Sequence, residues 1–273
     1  MSHLLRSHAP ITRVGWKLLD QEAAERLTPG LAARRLIDFQ GPQGWEFSAT
    51  NLGRTEVIKG GNGSNLEARR RCVLPLVEVR ANFKVGREEL SDVARGAVDI
   101  DLDELDRAAR EMVIAENRAV FHGWPEAGIQ GITELSPHPR LELTEEEDYL
   151  ERISQAVGLL LSSGISGPYG MALGPEEYVR VAQAEQSGYP LLRHLQRILE
   201  GSVVWALGVR GGIVMSLRGG DFSLESGQDL SVGYSYHDAR SVHLYIEQSF
   251  SFQVLTPEAA VSLSPILPGD GSK

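Results

Sequence analysis

The longest segment with a legible start, face and stop spans 101–123. Leu105, Ala109, Met112, Ala119 and Val120 fall on or near one stripe at helical spacing, which predicts an amphipathic helix of about 20 residues, roughly 30 Å long. Asp101, with Glu104 three residues on, has the form of a capping box; Gly123 followed by Pro125 has the form of a stop. Strand-like patterns lie on both sides of this helix, so it is expected to act as a spine. Before it, Val77, Val79, Ala81, Phe83 and Val85 alternate with Glu78, Arg80, Asn82 and Lys84, the pattern of a half-exposed strand. Far beyond it, DLSVGYSY precedes SVHLYIEQSFSFQVL at 241–255. There Val242, Leu244, Ile246, Phe250, Phe252 and Val254 alternate with His243, Tyr245, Glu247, Ser249, Ser251 and Gln253, leaving Gln248 as the one polar residue on the apolar side. That run is well beyond the usual strand of about five or six residues, which predicts a bend or two packing partners.

Shorter helical patterns fill the rest. Trp16, Leu19, Ala23 and Leu27 mark a helix broken at Pro29-Gly30, followed by a short piece, LAARRLIDF, whose Leu31, Arg34 and Asp38 share one side of a helical turn; Gly41, Pro42 and Gly44 mark a turn. A helix over 144–164 is predicted from the capping box Thr144/Glu147, the stripe Leu150, Ile153, Val157 and Leu160, and Gly164. Pro175 and Pro190 each open a further helix, and VVWAL (203–207) and IVMSL (213–217) read as a hairpin across VRGG. The stretch 45–71 differs. It carries few core-forming residues and reads as a hairpin arm with GGNGSN at 60–65 as its tip. A long extended loop of this kind is usually functional, disordered or packed against something else.

Composition then narrows the class. With 273 residues, 42% hydrophobic and 23% charged, the chain can bury one large core or two smaller ones. A net charge of -10 argues against a nucleic-acid surface, and the basic run RRRC at 69–72 is too short to reverse that, so it reads as a solvated or interfacial strand edge. No apolar run of about 18 residues and no signal-peptide core is present, which leads to the expectation of a cytoplasmic protein that does not enter a membrane. The single Cys72 excludes an intrachain disulfide and reads as a small buried apolar residue.

The chemistry is mostly negative. G-x-S-x-G, H-E-x-x-H, paired C-x-x-C and Walker patterns are all missing. His3, His8, His122, His138, His194, His237 and His243 include no pair at the spacing of a helical metal site. The acidic run 145–148 suits a helix first turn, where the macrodipole favours negative charge, and Gly219-Gly220-Asp221 suits a turn between strands. No catalytic, metal or cofactor site is expected.

Taken in order, LLRSHAPIT, AARRLIDF, GPQGWEF, PLVEVRANF, IAENRAVFHG, GPYGMAL, GYPL, RGGDFSLESGQDLSVGYSYHD and YIEQSFSFQVLTPEA resemble the encapsulins, prokaryotic nanocompartment shell proteins, over the chain to about residue 263. The resemblance implies an α+β chain with the HK97-type phage capsid fold. Within it 1–44, 75–125 and 223–263 would form the peripheral domain, 45–74 the extended loop, 126–222 the axial domain and 264–273 a flexible tail. It also implies self-assembly into a hollow icosahedral nanocompartment, 60 subunits in the smallest shell, and packaging of a cargo enzyme through its C-terminal targeting peptide. A dye-decolorising peroxidase or a ferritin-like protein would be the load, with a part in oxidative stress or iron storage.

By the same resemblance the cargo peptide would lie against the N-terminal helix and the peripheral sheet. Leu31, Arg34, Leu36, Asp38 and Phe39, with Tyr234, Ile246 and Phe250, are the candidate binding residues; an apolar groove would take aliphatic side chains while Arg34 and Asp38 orient polar groups. Gln186, Ser187, Gly188 and Tyr189 would line a five-fold pore. Glu88 stands where some members carry a flavin-stacking Trp, so no flavin is expected. Two alternatives stay open: a phage or prophage major capsid protein that packages DNA, and a hydrolase or protease, against which the missing nucleophile motif stands.

Overall fold

A computed structural model describes residues 3–58, 67–143, 148–186 and 188–265. In chain order its elements are α1 (Arg13–Leu27), β1 (Asp38–Gln40), β2 (Ala49–Ile58), β3 (Ala68–Pro75), β4 (Val77–Gly86), α2 (Arg87–Arg95), α3 (Asp103–His122), α4 (Ile132–Leu135) and α5 (Asp148–Ser162). Then come β5 (Tyr169–Leu173), α6 (Pro175–Gln183), β6 (Glu185–Gln186), β7 (Tyr189–Pro190), α7 (Leu191–Leu199), β8 (Val203–Trp205), β9 (Gly212–Ser216), β10 (Phe222–Ser226), β11 (Ser231–His237), β12 (Ser241–Val254) and β13 (Ala260–Leu263). The α+β composition that the resemblance implies is present. No helix of the described residues is long and apolar enough to cross a membrane.

The spine forms, with different fastenings. α3 begins at Asp103, where the Asp101 carboxylate accepts the Asp103 N–H at 3.0 Å. Glu104 does not complete a capping box; it accepts the backbone N–H of Lys84 at 3.1 Å and so ties the helix to β4. Beyond the predicted stripe, α3 also buries Glu116 and Asn117. Its first half, Leu105 to Val113, belongs to a core with α1, β4, β11 and β12, whereas Ala119, Val120 and Phe121 belong to a second core with α5, α7, β5 and β9. Asn117 sits between the two. Its carbonyl accepts the Ala33 N–H at 3.1 Å, and its amide donates to the carbonyls of Gly30 and Leu207 at 2.9 and 3.0 Å. These bonds fasten the segment after α1 and the segment after β8 to one point on the spine, where a bare buried amide would be costly.

The long strand has its two partners. β4 pairs antiparallel with β12 from Gly86 opposite Ser241 to Val77 opposite Phe250. β11 takes residues 242–247 of β12 and β10 takes 250–254, joined through Gly227 and Gln228 at Ser249, so one edge of β12 is filled along most of its length. β1 adds to β10 in parallel. As expected, Ala81, Phe83 and Val85 are buried while Glu78, Arg80, Asn82 and Lys84 are exposed. The polar face of β12 departs from the alternation: Tyr245, Glu247, Ser249 and Ser251 are buried too. Arg80 lies 3.8 Å over the Tyr245 ring and binds the Glu247 carboxylate, and Thr50 at the base of β2 hydrogen-bonds Ser251 at 2.6 Å.

Several expectations change. The predicted hairpin of 203–207 with 213–217 is absent: β5 lies between β8 and β9, parallel to β8 and antiparallel to β9. Short apolar runs fix strands but not who pairs with whom. β13 pairs with β9, so residues 260–263 join this second sheet, in the order β13-β9-β5-β8, and not the return strands with which they were grouped. The helical turn through LAARRLIDF ends after a single 3-10 turn at Ala33–Arg35, because the backbone leaves helical geometry at Leu36 and enters β1 at Asp38. Arg34 and Asp38 therefore do not share a helix face. Cys72 is half-buried on β3 and outside both cores. α5 turns Tyr149, Ile153, Ala156 and Leu160 inward, a face rotated slightly from the predicted stripe. The predicted capping box Thr144/Glu147, the acidic residues 145–147, the arm tip at 60–65 and the tail from 266 lie outside the described residues.

Within the arm 45–74, β2 and β3 pair as a two-stranded antiparallel ladder that is separate from both larger sheets. Arg69, Arg70 and Arg71 are exposed on it, as expected of a solvated or interfacial edge.

Candidate functional site

The N-terminal segment reaches the sheet before α1 begins. The Leu4 carbonyl accepts the Tyr234 N–H at 2.9 Å, and Arg6 Nε donates to the Val232 carbonyl at 2.8 Å. These bonds fasten residues 4–6 to the backbone of β11. The Arg6 guanidinium also stacks 4.5 Å over Trp16 and binds Asp20, which anchors α1 at that spacing from the sheet. Thr12 caps α1 by accepting the Gly15 N–H at 3.1 Å. Between α1 and β11 this leaves a groove of about 470 Å³. Ala23, Leu27, Leu31, Val232 and Ile246 give it apolar walls, and Asp20, Arg34 and Asp229 give it charged ones.

Arg34 is the organising side chain. Nε and Nη2 grip the Glu116 carboxylate at 2.9 and 2.7 Å, Nη1 donates to Asp229 Oδ1 at 2.8 Å, Nη2 reaches Gln248 Oε1 at 3.1 Å, and the guanidinium stacks 4.3 Å over Phe39. Burial works against the charge, but hydrogen bonds and the charge of Glu116, then of Asp229, outweigh it and hold the Arg34 pKa above its usual value. Burial likewise pushes the Glu116 carboxyl above the usual range and Arg34 opposes it. With a permanently charged guanidinium in bidentate contact, the two stand as an ion pair at neutral pH. Arg34 thus acts as a fixture: it pins Asp229 at the groove wall, where Asp229 Oδ1 also accepts the Leu230 N–H at 2.8 Å. Asp229 Oδ2 has no partner among the described residues. A fixed carboxylate above an apolar floor suits an extended segment that presents aliphatic side chains downward and N–H, O–H or ammonium groups to the rim.

Of the eight residues proposed from resemblance, Leu31, Arg34 and Ile246 line this groove. Leu36 and Asp38 line a separate, smaller cavity of about 160 Å³ beside Leu217, Gly219 and Phe222. Asp38 is spent there, accepting the Gly220 N–H at 2.6 Å. Phe39 lies beneath the Arg34 guanidinium, and Phe250 is buried in the second core. Tyr234 is buried against the first core, its hydroxyl 2.6 Å from His237 Nδ1. Asp20, Asp229 and Val232 went unnoticed in the sequence. Asp229 stands at the head of an alternating strand, and nothing local distinguishes it from an ordinary loop acid.

Elsewhere, Gln186 pairs with Tyr189 in the β6–β7 hairpin, with Gly188 at φ +76° making the turn. Tyr189 is 51% exposed and stacks on His194 at 4.8 Å; Ser187 lies outside the described residues. Glu88 sits in the first turn of α2. No group of three or more His, Cys, Asp or Glu among the described residues could hold a metal ion.

A family model described as an encapsulating protein for peroxidase matches residues 1–251. The chain is 44% identical over 270 residues to a type 1 encapsulin shell protein of Rhodospirillum rubrum, covering 96% of each. It is 36% identical over 265 residues to the type 1 encapsulin shell protein of Mycobacterium tuberculosis, covering 97% of this chain and 100% of that one. Among solved structures, a virus-like particle from Pyrococcus furiosus matches with a TM-score of 0.60 at 19% identity, over 90% of this chain and 98% of that one. The capsid of an empty GTA particle matches at 0.52 and 14% identity, over 87% and 90%. These structural likenesses speak for the fold, the HK97-type capsid fold.

Proposed function

Because this chain belongs to the family of encapsulin shell proteins, structural and not enzymatic, we propose that its copies close into a hollow icosahedral compartment in the cytoplasm that is loaded through the groove between α1 and β11. The family membership decides among the three readings open at the sequence level in favour of the shell. A shell of 60 copies, a peroxidase as cargo and a five-fold opening around Tyr189 are the finer parts of the proposal.

The observation that carries the loading site is the pairing of an apolar-floored groove with Asp229, held in place by the Arg34–Glu116 pair. Such a groove binds a short peptide by its aliphatic side chains and discriminates by what the carboxylate accepts. In this arrangement Arg34 positions Asp229, and Asp38 takes no part because its carboxylate already holds the Gly220 turn. The expected cargo tail is therefore a strand-like peptide with alternate aliphatic residues beside hydroxyl, amide or basic ones.

The test is co-expression with a fluorescent protein that carries the C-terminal tail of a dye-decolorising peroxidase. Ala24 is exposed on α1 and lines the groove, so Ala24→Trp fills it without entering the core. Particles of the wild-type chain should carry fluorescence, and Ala24→Trp and Asp229→Ala particles should form but be empty. Equal loading of all three would remove this groove from consideration.

A further inference from the structure

On the far side of α3, outside the loading groove, Arg118, Arg140 and Arg210 line one cavity of about 580 Å³ together with His122 and Thr133. They come from three different parts of the chain: the spine helix, the loop before β13's partner residue Leu141, and the β8–β9 loop. None of the three guanidiniums forms an ion pair or hydrogen bond with a described residue. Arg6, Arg26, Arg34, Arg80 and Arg218 each hold a carboxylate, and other arginines of this chain, Arg107 and Arg110 among them, make no such pair with a described residue; what these three share is one cavity. All three are solvent-exposed, and in a protein of net charge -10 three arginines around one cavity without a carboxylate partner among the described residues gather positive charge in one place.

The cavity is also built to stay open. Arg210 is carried on a loop with Gly208 at φ +84° and Gly211 at φ +71°. A Cβ at Gly208 would lie 3.0 Å from the Ile114 carbonyl oxygen, and one at Gly211 would lie 2.2 Å from that of Leu263. The loop is thus packed closely between the spine and β13 on both sides of Arg210. His122 Nε2 accepts the Arg210 N–H at 3.2 Å, which leaves the proton on Nδ1 to donate to Thr133 Oγ1 at 3.2 Å. Burial first, and then the charges of Arg140, Arg118 and Arg210, push the His122 pKa below its ordinary value, so the ring is a neutral strut at pH 7. The acid acting on it, Glu134, has its Oε2 engaged with the Gly131 N–H at 3.0 Å.

We propose that this cavity binds a small multivalent phosphate, a pyrophosphate or a phosphate ester, with Arg118, Arg140 and Arg210 as its charge partners. Planar guanidiniums approaching from three elements suit the several oxygens of such an anion better than a single carboxylate. The site is separate from cargo loading, and its occupancy is independent of whether the α1–β11 groove takes a peptide.

The experiment is isothermal titration of the full chain with inorganic pyrophosphate at pH 7 and constant ionic strength. It is run on the purified assembly and on subunits dissociated from it, with sulfate as the divalent comparator. Saturable binding at one site per chain is expected, stronger for pyrophosphate than for sulfate, and weakened about tenfold or more in Arg118→Gln and in Arg210→Gln. Arg152→Gln, on α5 and outside the cavity, should leave it unchanged. Absence of saturable heat in both forms, or equal binding by all variants, overturns the proposal. So does a result in which the Arg118 and Arg210 variants fail to assemble while the wild-type chain ignores pyrophosphate, since the cluster is then a contact between copies.

Discussion

The β4–β12 ladder and the β2–β3 ladder are both long antiparallel pairs, and they are finished by different means. In the first, Ala81, Phe83 and Val85 are at most 7% exposed on one face, and Arg80, Tyr245 and Glu247 interlock on the other. In the second, only the base is closed, where Thr50 bonds Ser251 and Glu225; outward from there Val57 and Ile58 are 58% and 51% exposed, and Val73 is 44% exposed. An isolated two-stranded hairpin is marginally stable in water. The sheet pair is completed by its own chain, whereas the outer part of the arm leaves apolar side chains uncovered within the subunit, surface that a contact between copies would cover.

The most drastic way to break this contrast is to charge the arm's apolar positions. Val57→Asp combined with Ile58→Asp should abolish particles in negative-stain images while leaving the dissociated subunit's unfolding free energy, from urea titration, within about 0.5 kcal/mol of wild type. Normal particles from that variant would show that the arm is not a contact. The reverse outcome is expected of Phe83→Ala in β4, which should cost the subunit about 3–5 kcal/mol of unfolding free energy wherever it is measured. A cost below about 1 kcal/mol would mean that the first core does not depend on the ladder.

Smaller changes sharpen the boundary between the two regions. Thr50→Val removes the hydroxyl that bonds Glu225 Oε2 at 2.9 Å and Ser251 Oγ at 2.6 Å. It should lower subunit stability by about 1–2 kcal/mol, because the arm's base is built within the chain although its length is not. The smallest effect belongs to Asp238, at the turn into β12, whose carboxylate accepts the N–H groups of Arg240 and Ser241 at 2.7 and 2.8 Å and lies 3.2 Å from His243 Nε2. Those backbone bonds, then His243, lower its pKa from 3.8 to about 2. A carboxyl whose folded pKa is depressed stabilises the fold above the unfolded value and loses that contribution as pH falls through the folded one. Thermal melts of the subunit should therefore show an acid-side slope between about pH 4 and 2 that is shallower in Asp238→Asn; identical slopes would refute this role.

What was legible in the sequence follows the same divide. α3, β4 and β12 bury a continuous face, so period and capping residues announce them, and even the double partnering of β12 follows from its length. The pairing of β8 and β9 differs from the pattern's reading because each is a short strand, apolar but for Ser216, lying on either side of β5, and such runs carry no register. At the groove, Leu31, Arg34 and Ile246 came from resemblance, and Asp38 was displaced because one 3-10 turn ends three residues earlier than a helix would. Asp229 was invisible for a different reason. Its importance is created by Arg34, 195 positions away in the chain, and no local pattern encodes that.

One helix contributing to both cores has a thermodynamic corollary. With Leu105 to Val113 embedded on one side, Ala119 to Phe121 on the other, and Asn117 pinning Gly30, Ala33 and Leu207 between them, melting of either core strips packing from the helix that the other needs. The two cores are thereby coupled in unfolding, and the amides in the middle of α3 are expected to be among the slowest of the subunit to exchange with solvent.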